Sequence, residues 1–66
     1  MRQPLSPRQK QVLEHLAQGH SRQQTANHLG ITVNTVATHI KAAKWALRAT
    51  NTRHAVAKAI RTNQIP

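Results

Sequence analysis

The sequence has almost no acidic side chains and no cysteine. Glu14 is the one carboxylate side chain among 66 residues, whereas Lys and Arg number ten, which gives a formal net charge of +9. A single carboxylate cannot form the pair used in general acid–base catalysis, and divalent cations that bind through oxygen lack ligands. The missing cysteine excludes disulfides and thiolate chemistry. These absences predict a protein that is not an enzyme and needs no cofactor.

Aromatic side chains and long hydrophobic runs are also scarce. Trp45 is the one tryptophan, and the sequence contains no tyrosine or phenylalanine. No apolar run approaches the roughly 18 residues of a membrane-spanning helix, and the N-terminus lacks the apolar centre of a signal peptide. We therefore expect a cytoplasmic protein. The length fits one small domain over residues 1–66, with an ordered core over about 5–62.

Positive charge is what the sequence has in excess. Such a chain repels itself unless a polyanion neutralises it, so nucleic acid is the first expected partner and an anionic membrane surface the second. Five histidines raise the question of a metal site. No two of them are three or four residues apart, the spacing that places two side chains on one helix face, so we expect no metal. The five histidines are His15, His20, His28, His39 and His54.

Two capping boxes, each a Ser followed three residues later by Gln, predict the first two helices. The first helix is expected over about 7–18 and the second over about 22–29, each followed by a glycine suited to the left-handed conformation. The boxes are Ser6 with Gln9 and Ser21 with Gln24, and the glycines are Gly19 and Gly30. The residues expected to face inward are Val12, Leu13, Leu16 and Ala17, then Thr25, Ala26 and Leu29.

Helical spacing predicts two further helices and no strand, hence an all-α domain of four helices. Thr32 is the expected N-cap of a third helix over about 33–48, and Asn51 or Thr52 starts the fourth. The tail after the fourth helix is expected to fray. The inward residues are Val36, Ile40, Ala43 and Leu47 in the third helix, and Val56, Ala59 and Ile60 in the fourth.

The second and third helices form a predicted helix-turn-helix unit. Only Gly30, Ile31 and Thr32 separate them, and so short a turn forces a steep crossing angle. The third helix carries many short polar side chains, which are poor helix formers, on the side opposite its apolar stripe. Short side chains let a helix sink into the DNA major groove, about 12 Å wide, where Asn, Thr and Lys can contact bases.

The sequence resembles a known family. The stretches "LSPR", "VLEHLAQG", "ANHLGI" and "VNTVATHI" are similar to those of the LuxR-type (NarL/FixJ, GerE-like) DNA-binding domain, over about residues 5–60. The resemblance implies a four-helix domain whose third helix reads the major groove of double-stranded DNA, in a bacterial, nucleoid-associated regulator of transcription. It also implies that Ala37, Thr38 and Lys41 face the bases.

Helix starts supply the expected contacts to DNA phosphates. Backbone N–H groups at a helix N-terminus bind anions, and the helix-turn-helix unit has two such starts, at its second and third helices. The complete set of expected DNA-binding residues is Ser21, Arg22 and Gln23 at the second helix and Thr32, Asn34, Thr35, Ala37, Thr38, Lys41 and Lys44 at the third.

Several positions depart from the family pattern. Ala37 stands where many relatives carry Lys or Arg, and Arg48 replaces a frequent glycine, so the third helix is expected to run longer. Trp45 is expected on the side of the helix opposite the core. Its ring is expected to pack on the aliphatic parts of neighbouring side chains, on the DNA backbone or on another protein. The fourth helix is expected to turn His54, Lys58 and Arg61 outward. We therefore expect a monomer in solution that binds repeated sites side by side or pairs only on DNA.

Three alternatives accompany the transcriptional interpretation. The domain can belong to a plasmid or phage maintenance or segregation protein acting on repeated sites. It can also be a small protein-interaction module, such as an inhibitor docking through Trp45. A cationic membrane-active peptide is disfavoured, because one continuous amphipathic helix would be expected.

Overall fold

Four α-helices make up the fold. The computed structural model describes residues 5–66, and within that range the chain forms helices and no strand. The helices are α1 (Pro7–Ala17), α2 (Arg22–Leu29), α3 (Val33–Leu47) and α4 (Thr52–Arg61). The predicted all-α class with four helices is confirmed.

The helices begin where side-chain caps were predicted. In both capping boxes the Ser hydroxyl accepts from the backbone N–H of the Gln, at 3.2 Å for Ser6 and 3.0 Å for Ser21. The Gln side chain returns the bond to the Ser N–H at 3.1 and 2.8 Å. Thr32 caps α3 by accepting from Thr35 N–H at 3.1 Å. Asn51, rather than Thr52, caps α4.

A left-handed residue follows each helix, one position after the last helical residue in α2 and α3 and two positions after it in α1 and α4. The positive φ angles are 91° at Gly19, 68° at Gly30, 54° at Arg48 and 60° at Asn63. In each case the next residue donates its N–H to a carbonyl five residues earlier, which satisfies an otherwise free end of the helix. The expectation of a longer α3 is therefore wrong: the helix stops at Leu47 although a non-glycine residue must adopt the left-handed conformation.

The buried side of α3 holds the core together. Val36 and Ile40 pack in one cluster with Val12 of α1 and Ala26 of α2. The other half of α3 supplies Ala43 and Leu47 to a second cluster with Leu13, Ala55, Ala59, Leu5 and Ile65. Leu16 packs against both clusters. The predicted stripe of α3 is confirmed, whereas Ala17 of α1 is exposed.

The inward face of α4 differs from the prediction. Ala55 and Ala59 are fully buried, Val56 is half-buried, and Ile60 is 44% exposed. Because small side chains let α4 approach α1 and α3 closely, the two alanines occupy the contact and the larger Ile60 lies outside it. The prediction for Ala59 is confirmed and Val56 packs at the edge of the core, whereas Ile60 lies outside the core and Ala55 was missed.

Lys58 does not point away from the domain as expected. Its Nζ donates to the carbonyl of Leu47 at 2.9 Å and to that of Arg48 at 3.3 Å. These carbonyls belong to the C-terminal end of α3, where unpaired acceptors and the negative end of the helix dipole favour a cation. Lys58 thus fastens α4 to the end of α3.

The C-terminal tail returns to the core instead of fraying. The left-handed Asn63 lets Gln64 donate to the carbonyl of Ala59 at 2.9 Å, which reverses the chain. Ile65 is then only 4% exposed. The side chain of Gln64 accepts from Leu5 N–H at 2.9 Å, so both ends of the described chain meet.

The two C-terminal isoleucines allow a matched test of this packing. Ile65→Ala is expected to lower the free energy of unfolding by about 3 kcal/mol, because it leaves a cavity in the core. Ile60→Ala, the same change at an exposed position, should lower it by less than about 1 kcal/mol. Urea denaturation followed by circular dichroism measures both. Equal losses would show that the tail is not packed in solution.

Candidate nucleic-acid interface

The turn between α2 and α3 depends on Gly30. Its φ of 68° lies in the left-handed region, and a Cβ built on it would meet no atom within 4 Å. Backbone conformation, not lack of space, therefore favours glycine here. The N–H of Ile31 donates to the carbonyl of Ala26 at 3.0 Å, which closes the turn against the core. Helix α3 consequently starts directly beside the end of α2.

The start of α2 offers a small set of free donors. A helix leaves its first backbone N–H groups without intrahelical partners. At α2 the capping box already occupies the N–H groups of Ser21 and Gln24. The remaining donors are the N–H groups of Arg22 and Gln23. Both residues are exposed, and the guanidinium of Arg22 lies 3.5 Å from the hydroxyl of Thr52.

The start of α3 has a single cap bond and no reciprocal one. Thr32 occupies the N–H of Thr35, and the two hydroxyls lie 2.9 Å apart. The N–H groups of Val33 and Asn34 are left for an external acceptor. Asn34 is exposed, whereas Thr35 is half-buried, so the side chain of Thr35 is less available than predicted.

Along its first turns, the exposed face of α3 carries short side chains and one cation. Asn34, Ala37, Thr38 and Lys41 are all exposed. The hydroxyl of Thr38 donates to the carbonyl of Asn34 at 3.0 Å. With its hydrogen used inside the helix, Thr38 presents a methyl group and oxygen lone pairs to the outside. Lys44 is half-buried, beside this face rather than at its centre.

One residue of this face was not included in the predicted site. Trp45 is 73% exposed and lines a shallow groove of about 680 Å³. We call it the Trp45 groove; it lies between the start of α1 (Leu5, Ser6 and Gln9) and the α3 residues Thr38, Lys41 and Trp45. Helical spacing had placed Trp45 opposite the core, four residues after Lys41, but left its contact open between neighbouring side chains, DNA backbone and another protein.

A cluster of three histidines lies at the joint of α1 and α2, and sequence spacing did not reveal it. The ring centroids of His15, His20 and His28 are 5.0–5.2 Å apart. The Nδ1 atoms of His15 and His20 are 3.0 Å apart, at hydrogen-bond distance. The helix end explains the contact, because His20 N–H donates to the carbonyl of His15 at 3.0 Å. Within residues 5–66 no three or more such side chains are arranged to hold a metal ion.

Proton binding to His15 is disfavoured. Burial lowers the pKa of His15, and the nearby His28 and His20 lower it further, whereas Glu14 acts in the opposite direction. The Nδ1–Nδ1 hydrogen bond needs one accepting nitrogen, so it is lost if both rings carry a proton on Nδ1.

Two helices joined by a three-residue turn, with a buried stripe on one side of the second and short polar side chains on the other, define a helix-turn-helix domain. The model of the family described as bacterial regulatory proteins, luxR family (GerE) matches residues 3–59. The chain belongs to this luxR family, as its sequence motifs suggested. It is thus a DNA-binding domain of a transcription regulator.

Structural comparison agrees with the family assignment. A solved structure described as "Structure of Transcription factor, GerE" matches with a TM-score of 0.92 and 22% sequence identity, covering 98% of this chain and 97% of that one. No curated protein matches the chain in sequence. No helix within residues 5–66 is long and apolar enough to cross a membrane.

The histidine cluster predicts a pH-dependent stability. Below about pH 6.5, the ordinary histidine pKa, the unfolded chain binds a proton at His15 that the folded protein binds more weakly. The free energy of unfolding should therefore fall as the pH falls from about 7.5 to about 5.5. Urea denaturation at several pH values measures the fall.

Removal of His15 supplies the control for this prediction. His15→Gln should reduce the loss of stability on acidification, because the group with the lowered pKa is gone. His39→Gln removes a histidine outside the cluster and should keep the wild-type loss. An unchanged pH dependence in His15→Gln would assign the effect to other groups.

Proposed function

We propose that the domain binds specific sequences of double-stranded DNA by placing α3 in the major groove, and that it acts in this way in transcriptional control. The observation that carries the proposal is the division of α3 into two sides. Val36, Ile40, Ala43 and Leu47 are buried on one side, and the opposite side carries short polar residues with Lys41. This lets the helix axis approach base edges closely.

Each exposed residue of α3 has a distinct expected contact. The amide of Asn34 can pair with adenine, the methyl of Thr38 with a thymine methyl, and the ammonium of Lys41 with guanine. Ala37 adds no polar group and permits close approach. Thr38 favours the apolar contact, since its hydroxyl hydrogen is already bonded to the carbonyl of Asn34.

The two helix starts are expected to hold phosphates on either side of α3. The N–H groups of Arg22 and Gln23 and those of Val33 and Asn34 are the donors that the caps leave free. The guanidinium of Arg22 adds charge at the first of these positions. Such contacts position the protein on the duplex without reading sequence. The net charge of +9 supports them.

Three alanine variants separate base reading from phosphate binding. Thr38→Ala and Lys41→Ala should each weaken binding to a selected site by about 1–3 kcal/mol, with a smaller loss on random DNA. Arg22→Ala should weaken both complexes alike and reduce the slope of log K against log salt by about 1. The site is first selected from a random library, and labelled duplexes are then titrated at several salt concentrations.

The losses on selected and random DNA distinguish contacts to bases from contacts to the DNA backbone. Equal losses on both DNAs for all three variants would reassign Thr38 and Lys41 to backbone contact. Absence of wild-type binding to any duplex at low salt would contradict the proposed function, and recovery of a protein partner would favour an interaction module instead.

We also propose that the chain is monomeric without DNA. Two side chains of α4 do not lie where the sequence predicted: Lys58 binds the end of α3, and Ile60 is exposed. Ile60 lines a groove between α1 and α4 together with Leu16, Arg53 and Val56. Ile60 is the one large hydrophobic side chain of α4 that is exposed. Pairing there on a two-fold axis would place the Arg53 side chains of both copies in one interface, in a molecule that already has excess positive charge.

Sedimentation equilibrium at micromolar concentration and moderate salt should give the mass of one chain. Addition of a selected duplex should permit side-by-side occupancy or pairing, because phosphates neutralise the repulsion. A stable DNA-free dimer that Ile60→Asp separates into folded monomers would contradict the proposal. Val33→Asp, a charge placed on α3 outside the groove, is the matched control and should leave the mass unchanged.

A further inference from the structure

Trp45 exposes more of its side chain than any other large hydrophobic residue in the described chain. Its exposure is 73%, compared with 44% for Ile60 and 36% for Val33. A large apolar residue left in water is informative, because burying it would be favourable. Trp45 lies opposite the buried stripe of α3, so the packing of this domain does not account for its presence.

Trp45 shares one face of α3 with the proposed base-reading residues. With about 100° between successive residues of a helix, Asn34, Thr38, Lys41 and Trp45 fall within an arc of about 60°. A duplex that lies against Thr38 and Lys41 therefore also lies in front of Trp45. This inference rests on the proposed function.

The position of Trp45 along α3 indicates which part of the duplex it meets. At about 1.5 Å per residue, Trp45 lies about 10 Å beyond Thr38 and about 16 Å beyond Asn34. The major groove is about 12 Å wide, so a helix with its first turns at the bases reaches the groove wall near Trp45. That wall consists of deoxyribose, which offers apolar C–H groups, and of phosphate, which accepts hydrogen bonds.

The surroundings of Trp45 match such a strand. The Trp45 groove presents the indole together with Leu5, Ala42 and Ala46, which are apolar, and the single cation Lys41. An indole has an apolar face and an N–H donor at its edge, which suit sugar and phosphate respectively. We propose that Trp45 and its groove hold the sugar–phosphate backbone of the same duplex that α3 reads, making Trp45 a sequence-independent DNA contact.

The fluorescence of Trp45 can be measured without interference from other aromatic side chains. Trp45 is the only tryptophan, and no tyrosine or phenylalanine contributes to the fluorescence. Quenching by acrylamide, which is neutral and insensitive to the charge of DNA, should become several-fold weaker when a selected duplex with a single site binds. A random duplex at low salt should give the same protection, because the contact reads no base.

Substitution provides the second measurement. Trp45→Ala should bind selected and random duplexes about 10-fold more weakly, as loss of a partly desolvated ring would require. The slope of log K against log salt should stay unchanged, because no charge is removed. Trp45→Phe should recover most of the affinity. Alanine is a better helix former than tryptophan, so the variant should fold, and Ile60→Ala is the matched control for removing an exposed hydrophobic side chain.

Three outcomes would overturn the proposal. If labelled DNA reports binding while Trp45 stays as open to acrylamide as before, Trp45 is not a DNA contact although the proposed function stands. If protection needs a duplex with two adjacent sites, Trp45 contacts a neighbouring copy instead. If no duplex binds the wild-type chain, the proposed function fails, and this inference fails with it.

Discussion

The burial of one side of α3 is the interaction on which the rest of the structure depends. Its first half packs with α1 and α2 and its second half with α1, α4 and both ends of the described chain. The orientation of α3 is thereby fixed relative to every other helix. What remains exposed on α3 is the surface that the proposed function uses, so core packing and DNA reading are two sides of the same helix.

Local signals in the sequence were sufficient for most of the fold. A cap joins residues three apart, so Ser6, Ser21 and Thr32 could be identified from the sequence alone. Helix ends were harder to predict from the sequence where the left-handed residue is not glycine. Arg48 and Asn63 adopt this conformation because the chain on both sides is held by packing, and single-residue preference gives little indication of that. The docked tail was missed for the same reason.

The exposed face of α3 was also readable, because helical periodicity assigns a residue to a side. The degree of burial of individual side chains could not be predicted in this way. Periodicity does not tell how close a neighbouring helix comes, so it missed the half-buried state of Thr35 and Lys44 and chose Ile60 over Ala55 for the inward face of α4. The histidine cluster combines residues from α1, α2 and the turn between them, and only the folded backbone brings these together.

The meeting of the two chain ends has a consequence for how the domain holds its shape. The bond from Leu5 to Gln64 joins residues 59 apart in sequence. Closing a flexible loop of that length costs upwards of about 3 kcal/mol in chain entropy, whereas one hydrogen bond contributes about 1 kcal/mol. The bond therefore cannot draw the ends together by itself. The bond forms because the helices have already packed. The meeting of the two chain ends therefore depends on cooperative folding of the whole domain.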